Sequence, residues 1–441
     1  MSDALPLPPR PNLEQYKKLA KDLQRACKSN EPGAVRDWAV RWTQTIARLQ
    51  GLEITPKLRR QTDGEAKRIE QRWHKFKEEK RAARCTLADA QFFVARGHGF
   101  ASWLSFVKHL EALARTTSPV SKFEAAADAI VSGDAARLEK LLSENPELAR
   151  ARSTRDHRST LLHYVAANGV EDFRQKTPNN IVEVTKLLLK AGADVDAESD
   201  AYGGRSTTLG LTATSWHPEN AGVQLPLLEL LIEHGAVIDG PDGGSTVNAC
   251  LRNGRGGAAE FCASRGARLD LEGAAGVGRL EVVKTFFGDD GSLQPPATEK
   301  RMTDGFAWAC EFGRTGVADF LLQRGMAVDA KLRHDGQTAL HWAAYGGHVD
   351  TVRMLLQRKA PIDAKDQTYG GTPLGWALYA WSNSPQRTDR ERYCAVVAQL
   401  VRAGAKLDAQ SYENSEDGRR TAEQIRSDPR MLATLRGEHS E

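Results

Sequence analysis

Long hydrophobic runs are missing from this 441-residue chain. No uninterrupted apolar stretch approaches the roughly 18 residues needed to cross a bilayer, so no membrane span is expected. Met1 to Leu13 is proline-rich without an apolar core, which argues against a secretory signal there. Cysteine is sparse: Cys27, Cys85, Cys250, Cys262, Cys310 and Cys394, with no Cys-x-x-Cys spacing. Cysteines scattered so widely read as reduced, buried small hydrophobes of a cytoplasmic protein, not as a disulfide framework or a metal site.

Catalytic signatures are missing as well. There is no Gly-x-Ser-x-Gly, and Ser105-Phe-Val-Lys108 matches Ser-x-x-Lys without either partner motif. Gly273-Ala-Ala-Gly276-Val-Gly278 lacks the Lys-Ser/Thr ending of a phosphate loop. Asp194-Val-Asp196-Ala-Glu198 opens like a calcium loop but has neither the glycine nor the closing glutamate that such a loop needs. His341 and His348 are too far apart in sequence to converge on one helix face, where ligands sit three or four residues apart. No catalytic residue, metal ligand or cofactor is assigned on these grounds, and the chain is read as not an enzyme.

Hydrophobic content of 40% and charged content of 27% are ordinary for a globular protein. The net charge of +4 hides an asymmetry. Residues 1–115 carry 23 Lys/Arg against 13 Asp/Glu, whereas the remainder carries 38 against 44. Two electrostatically different modules are implied.

The tail half repeats itself. From Asp335 it reads Asp-Gly-Gln-Thr-Ala-Leu-His-Trp-Ala-Ala-Tyr-Gly-Gly-His and continues through Leu-Leu-Gln-Arg-Lys-Ala-Pro-Ile-Asp-Ala to Ala364, with weaker copies on both sides. One anchor of the repeat is a helix-ending Gly-Ala: Gly192, Gly235, Gly266, Gly325 and Gly404 hold the first place, and Lys359 holds it once. The other is a glycine between paired helices: Gly133, Gly169, Gly254, Gly278, Gly313 and Gly347. The helix-ending site is expected to take positive φ, which makes Lys359 a strained exception. Extra residues at Val170–Asn180, Trp216–Val223 and Ser382–Arg392 fall between paired helices. The glycine-rich stretch 240–290 predicts a soft joint.

A period of roughly 33 residues built from a turn and two short helices resembles the ankyrin family. Thr338-Ala-Leu-His341 stands where the family has Thr-Pro-Leu-His, Thr372-Pro373-Leu374 keeps the proline but has Gly375, and Leu161-Leu162-His163 keeps the histidine. The resemblance implies an all-α fold: an ankyrin-repeat solenoid of about eight helix-turn-helix units, with His163 and His341 tying turns together. Residues 1–115 fall outside the repeat. Helical periodicity marks Leu13–Cys27, Pro32–Leu49, Glu65–Lys80 and Leu87–Leu113, broken near Gly97–Gly99. Pro11-Asn-Leu-Glu-Gln-Tyr-Lys-Lys and Leu87-Ala-Asp-Ala-Gln, with Gly99-Phe-Ala-Ser-Trp103, are similar to the helical leader on many bacterial ankyrin proteins. The expected domains are a basic helical module (1–117), the solenoid (118–409), and a capping helix over Thr421–Leu435 with its tail (410–441).

In the family, the residue after the motif histidine points from the inner helix to the concave surface. Here that place holds Asp128, Tyr164, Leu211, Ala249, Gly273, Trp308, Trp342 and Trp376, with Tyr345 and Tyr379 one turn further on. Large exposed aromatics are disfavoured on bare surface and favoured at binding hot spots. Tyr164, Trp308, Trp342, Tyr345, Trp376 and Tyr379 are therefore the candidate partner-binding residues, against the plain alternative that they pack on one another. The function expected is a non-enzymatic scaffold for a protein or peptide partner. The runner-up is a nucleic-acid-associated adaptor using the basic stretch Lys67–Arg84, where Trp73 and Phe76 are interleaved but Glu70, Glu78 and Glu79 intervene.

Overall fold

A computed structural model describes residues 4–8, 11–29, 31–49, 51–80, 84–240, 243–332, 336–384, 387–407 and 416–438. Asp335, parts of the Met1–Leu13, Lys67–Arg84 and Ser382–Arg392 segments, and the start of the expected cap at 410–415 lie outside these residues. The fold is all-α, with one two-stranded antiparallel ribbon (Glu198–Ser199 with Ser206–Thr207) among the described residues. Two compact units divide it, Met1–Gly244 and Ser245–Glu441, and the division falls inside the glycine-rich stretch.

The first unit opens with five helices: α1 (Leu13–Ser29), α2 (Ala34–Leu49), α3 (Pro56–Glu79), α4 (Leu87–Gly97) and α5 (Trp103–Leu113). Asn12 caps α1 by accepting the Glu14 amide at 2.9 Å. Helix α3 begins nine residues before its sequence-based start, because Thr55 caps it and Pro56 supplies a preset φ in the first turn. Capping boxes at Thr86/Asp89 and Ser102/Ser105 start α4 and α5 on either side of the Gly97–Gly99 break. Their apolar faces enclose Trp38, Trp73, Phe100 and Phe106, each worth roughly 2–3 kcal/mol when fully buried. Cys27 and Cys85 are joined as a disulfide, with Cα atoms 6.1 Å apart. This corrects the expectation of six reduced cysteines: a 58-residue separation leaves no spacing signature, yet the end of α1 and the turn before α4 meet. Cys250, Cys262, Cys310 and Cys394 are buried and form no disulfide, as expected.

Paired elements then follow in the same unit: α6 (Pro119–Ser132) with α7 (Ala135–Glu144), a short 3-10 turn (Leu161–Ala166) with α8 (Ile181–Lys190), and α9 (Thr208–Thr214) with α11 (Gln224–Glu233). The extra residues of the second pair form a 3-10 turn at Asp172–Arg174, and those of the third form α10 (Trp216–Asn220).

The second unit continues the pattern. Its pairs are α12 (Thr246–Arg252) and α13 (Gly256–Ser264), α14 (Leu271–Gly276) and α15 (Leu280–Lys284), α16 (Glu299–Glu311) and α17 (Thr315–Gln323), α18 (Ala339–Tyr345) and α19 (Val349–Gln357), and α20 (Pro373–Asn383) and α21 (Arg387–Arg402). First helices pack on first helices and second on second, so α14, α16, α18 and α20 form one layer and α15, α17, α19 and α21 the other. Alanines at 274, 275, 307, 309, 343, 344 and 377 fill the space between layers, because only small side chains let neighbouring repeats approach. In the last pair residues 382–383 lie in α20 and residues 387–392 in α21. The expected single capping helix is in fact two, α22 (Glu416–Ser427) and α23 (Pro429–Leu435). Pro429 cannot continue α22, and Asp428 caps the new start through the Met431 amide at 2.9 Å.

Both anchor series have positive φ, from 70° at Gly169 to 97° at Gly404, and Lys359 shares it at 62°.

Candidate partner-binding surface

The turn-binding histidines come first, since they orient the aromatic rings. Thr338 N–H donates to His341 Nδ1 at 3.1 Å, which leaves Nε2–H to donate to Gly371 O in the next repeat at 3.0 Å. His163 repeats the arrangement, accepting from Thr160 N at 3.1 Å and donating to Ser206 O at 3.1 Å. Burial lowers both imidazole pKa values, that of His163 to about 4, so both rings stay neutral as one tautomer. His348 bonds Glu311 O of the preceding repeat at 2.8 Å. These histidines are ties between repeats.

On α18 and α20 four rings gather. The centroid of Trp342 lies 5.3 Å from Trp376 and 6.3 Å from Tyr345, and that of Tyr345 lies 5.7 Å from Trp376, all edge to face. Such pairs contribute about 0.5–1.5 kcal/mol beyond area burial. Trp376 also meets the His341 ring edge-on at 5.5 Å. Asp366 holds the facing turn: Oδ1 accepts the amides of Thr368 and Tyr369, and Oδ2 accepts Gly371 N at 2.8 Å and Trp376 Nε1 at 3.0 Å. A Cβ on Gly371 would sit 2.9 Å from Asp366 Oδ2 and 3.0 Å from the indole, so this approach requires glycine. Tyr345 and Tyr379 keep 38% and 43% of their surface in solvent, and Tyr369 at the turn tip keeps 78%.

Two of the six candidate residues are not on the surface. Trp308 is only 5% exposed. The preceding repeat supplies Gly273 and Gly276 on α14, and a Cβ on Gly276 would stand 3.2 Å from that of Trp308. With Gly305 of α16, where a Cβ would lie 3.0 Å from that of Ala275, Gly276 lets the two helices approach closely at Trp308. Tyr164 is fully buried: its segment is a 3-10 turn, and the inserted residues fold over it. Its hydroxyl donates to Glu171 Oε1 at 3.3 Å, and the Arg174 guanidinium covers its ring at 5.9 Å.

Residues 271–367 and 306–410 match the family model for ankyrin repeats in three copies. Residues 271–410 are ankyrin repeats. Among solved structures the chain is similar to the human ASB11 ankyrin repeat domain: 17% identity, covering 64% of this chain and 98% of that one, at a TM-score of 0.31. No curated protein matches the chain. The four rings thus sit on the first helices of two neighbouring ankyrin repeats within the matched segment.

Ahead of that segment lies a buried ionic cluster that sequence reasoning missed. Arg155 Nη1 lies 2.5 Å from Glu124 and 2.9 Å from Glu171, while Arg174 pairs with Glu124 at 2.8 Å and with Asp128 at 2.6 Å. Burial alone would raise both glutamates, but the two guanidiniums override it, holding Glu124 down to about 2 and Glu171 well below the carboxylate range. Arg155 also lies over the Phe100 ring at 5.5 Å, which joins the cluster to the leader helices. One signal was present: Glu124 interrupts an otherwise apolar stripe of α6 between Phe123 and Ala127.

The basic helix presents less than its sequence offers. Trp73 is 1% exposed and packs edge-on against Phe93, while Phe76 stacks on Phe92. The Trp73 ring is not available to stack on a base. Lys77 and Lys80 both approach Asp89, at 3.8 and 2.8 Å. Among the described residues no group of three or more His, Cys, Asp or Glu could hold a metal ion, and no helix is long and apolar enough to cross a membrane.

Proposed function

We propose that this protein is a non-enzymatic scaffold that holds a protein or peptide partner against Trp342, Tyr345, Trp376 and Tyr379. Ankyrin repeats are in general protein–protein interaction modules. The observation carrying the finer reading is the division of labour among the rings. Trp376 is fixed by Asp366 and His341 and Tyr345 leans on it, while Tyr345 and Tyr379 each keep about two fifths of their surface bare. Rigid aromatics of this kind lose little entropy on binding, which is why Trp and Tyr dominate hot spots. The patch recognises and does not react: its one carboxylate, Asp366, already receives four donors. In this reading the scaffold works in the cytoplasm, where Cys27–Cys85 is open to reduction.

A displayed random-peptide library selected on the intact chain tests the reading. Selected peptides should share an apolar or aromatic anchor and should lose binding to a chain carrying Tyr345→Ala and Tyr379→Ala. Peptides that bind the double variant as well as the parent would place the docking surface elsewhere.

A further inference from the structure

Helix α1 carries a row of cations that the docking reading does not use. Lys18, Lys21, Arg25 and Lys28 follow one another three or four residues apart, the spacing that puts side chains on one helix face. At 3.6 residues per turn they fall within an arc of about 80°, and the row runs about 15 Å along the axis. All four are exposed, while Tyr16, Ala20 and Leu23 on the inward side are buried in the leader core. Two acids share the helix. Glu14 is taken by Lys17 at 2.7 Å, and Asp22 lies 3.2 Å from Arg25. Lys18, Lys21 and Lys28 make no ion pair among the described residues. The helix that presents them is tied down along its length. Asn12 caps its start, Trp38 Nε1–H donates to Leu19 O at 3.0 Å, and Cys27 near its end is joined to Cys85.

What this face lacks selects its occupant. No large apolar side chain of α1 is exposed. Protein interfaces centre on aromatic or aliphatic anchors, and membrane-surface helices sink an apolar face into the lipid boundary; this face offers neither. Unpaired nucleic-acid bases are held by rings on which they stack, but the one ring of α1, Tyr16, is buried. The backbone of a duplex asks only for cations. It carries its phosphates outward, with one charge per ~3.4 Å of axis on each strand, so every member of the row finds a phosphate within reach. The surplus of positive charge is also confined to the leader: residues 1–115 hold 23 Lys/Arg against 13 Asp/Glu, and the remainder 38 against 44. We propose that α1 is a docking face for the phosphate backbone of a nucleic-acid duplex. Lys18, Lys21, Arg25 and Lys28 make the contacts, without regard to base sequence.

Fluorescein-labelled DNA duplexes of two unrelated sequences are titrated with the full-length protein and followed by anisotropy as NaCl rises from about 50 to 200 mM. Four phosphate contacts give a log–log salt slope of about −3.6, an affinity loss of roughly 150-fold over that range, alike for both sequences. Lys21→Gln with Lys28→Gln removes two contacts and should bring the slope to about −1.8, a loss of roughly 12-fold. Lys176→Gln with Lys190→Gln, at exposed lysines outside the leader, makes the same change in net charge and should keep the parent slope. Lys and Gln have nearly equal helix propensity, so all three chains should share one circular dichroism spectrum. Phosphatidylserine vesicles and polyglutamate replace DNA in parallel titrations and should bind the parent more weakly than the duplex does. The proposal fails if the parent does not bind duplex, if the leader variant keeps the parent slope, or if the control variant loses as much. It fails equally if the two sequences differ by more than about tenfold in affinity, or if vesicles or polyglutamate bind as tightly as DNA.

Discussion

The indole Nε1–H of Trp376 donates to Asp366 Oδ2 at 3.0 Å, so the ring at the centre of the aromatic patch belongs to the turn as much as to its helix. The other candidate rings differ in kind: Tyr345 and Tyr379 keep much of their surface in solvent, whereas Trp308, on α16, is buried.

That difference predicts different outcomes for ring removal. Tyr345→Ala with Tyr379→Ala should cost about 1–3 kcal/mol of stability, the share of Tyr345's two ring pairs. It should weaken a selected peptide by about 2 kcal/mol or more if these are hot-spot residues. Trp308→Ala should cost about 3–5 kcal/mol of stability, as emptying a large core site does. Chemical denaturation beside peptide affinity separates the two.

Lys359 offers a gain. It closes α19 at φ 62°, where the parallel repeats have glycine. The helix end is bonded as those are, with Ala360 N donating to Leu355 O at 3.0 Å. A side chain in this conformation costs roughly 1 kcal/mol, and glycine recovers that less some chain entropy. Lys359→Gly should therefore raise stability by ~0.5–1 kcal/mol, read as a higher urea midpoint. A lower midpoint would mean that the lysine side chain contributes more than the strain costs.

Acid should loosen the first unit in two stages. Burial keeps His98, His109 and His163 neutral, with pKa values pushed down to about 3, 4 and 4. The unfolded chain takes up these protons first, so stability is complete above the ordinary histidine range near 6.5 and declines as pH falls from there toward 4. Glu124 and Glu171 add a second loss. Their folded pKa values are depressed, so their contribution holds above the usual carboxylate range near 4.3 and disappears as pH falls toward 2. Urea midpoints should thus decrease from pH 7.5 to 5 and again below pH 4.3. Glu171→Gln, which removes one of the two carboxylates paired with Arg155, should lower the urea midpoint at neutral pH.

Reduction is the fourth test. Closing a 58-residue separation stabilises a fold by about 4 kcal/mol in the chain-entropy account. Thiol labelling after denaturation without reductant should therefore modify four cysteines and spare Cys27 and Cys85. Dithiothreitol should lower the midpoint of the first unit and leave residues 245–441 unaffected.

The repeat architecture was legible because each of its signals is local. A glycine at positive φ, a Thr-x-x-His cap and a stripe of alanines are each written within one turn of chain. Leader helices were legible from periodicity, except where a cap outweighed it: Thr55-Pro56 starts α3 early and Asp428-Pro429 splits the last helix. What escaped depends on direction or distance. Whether the ring of residue 164 or 308 meets water is set by a 3-10 turn in one case and by glycines between neighbouring helices in the other. The pairing of Arg155 with Glu124 and Glu171, or of Cys27 with Cys85, follows from closure of the chain and obeys no spacing rule.

Glu171 and Arg174 sit in the residues by which the second repeat exceeds its siblings, and both are locked beneath the surface beside Tyr164. That segment is a keystone, not an ornament. Shortening the repeat to standard length would strand the opposing charges of Glu124 and Arg155 in a dry interior, so grafting foreign loops should succeed at 216–223 and fail at 170–180.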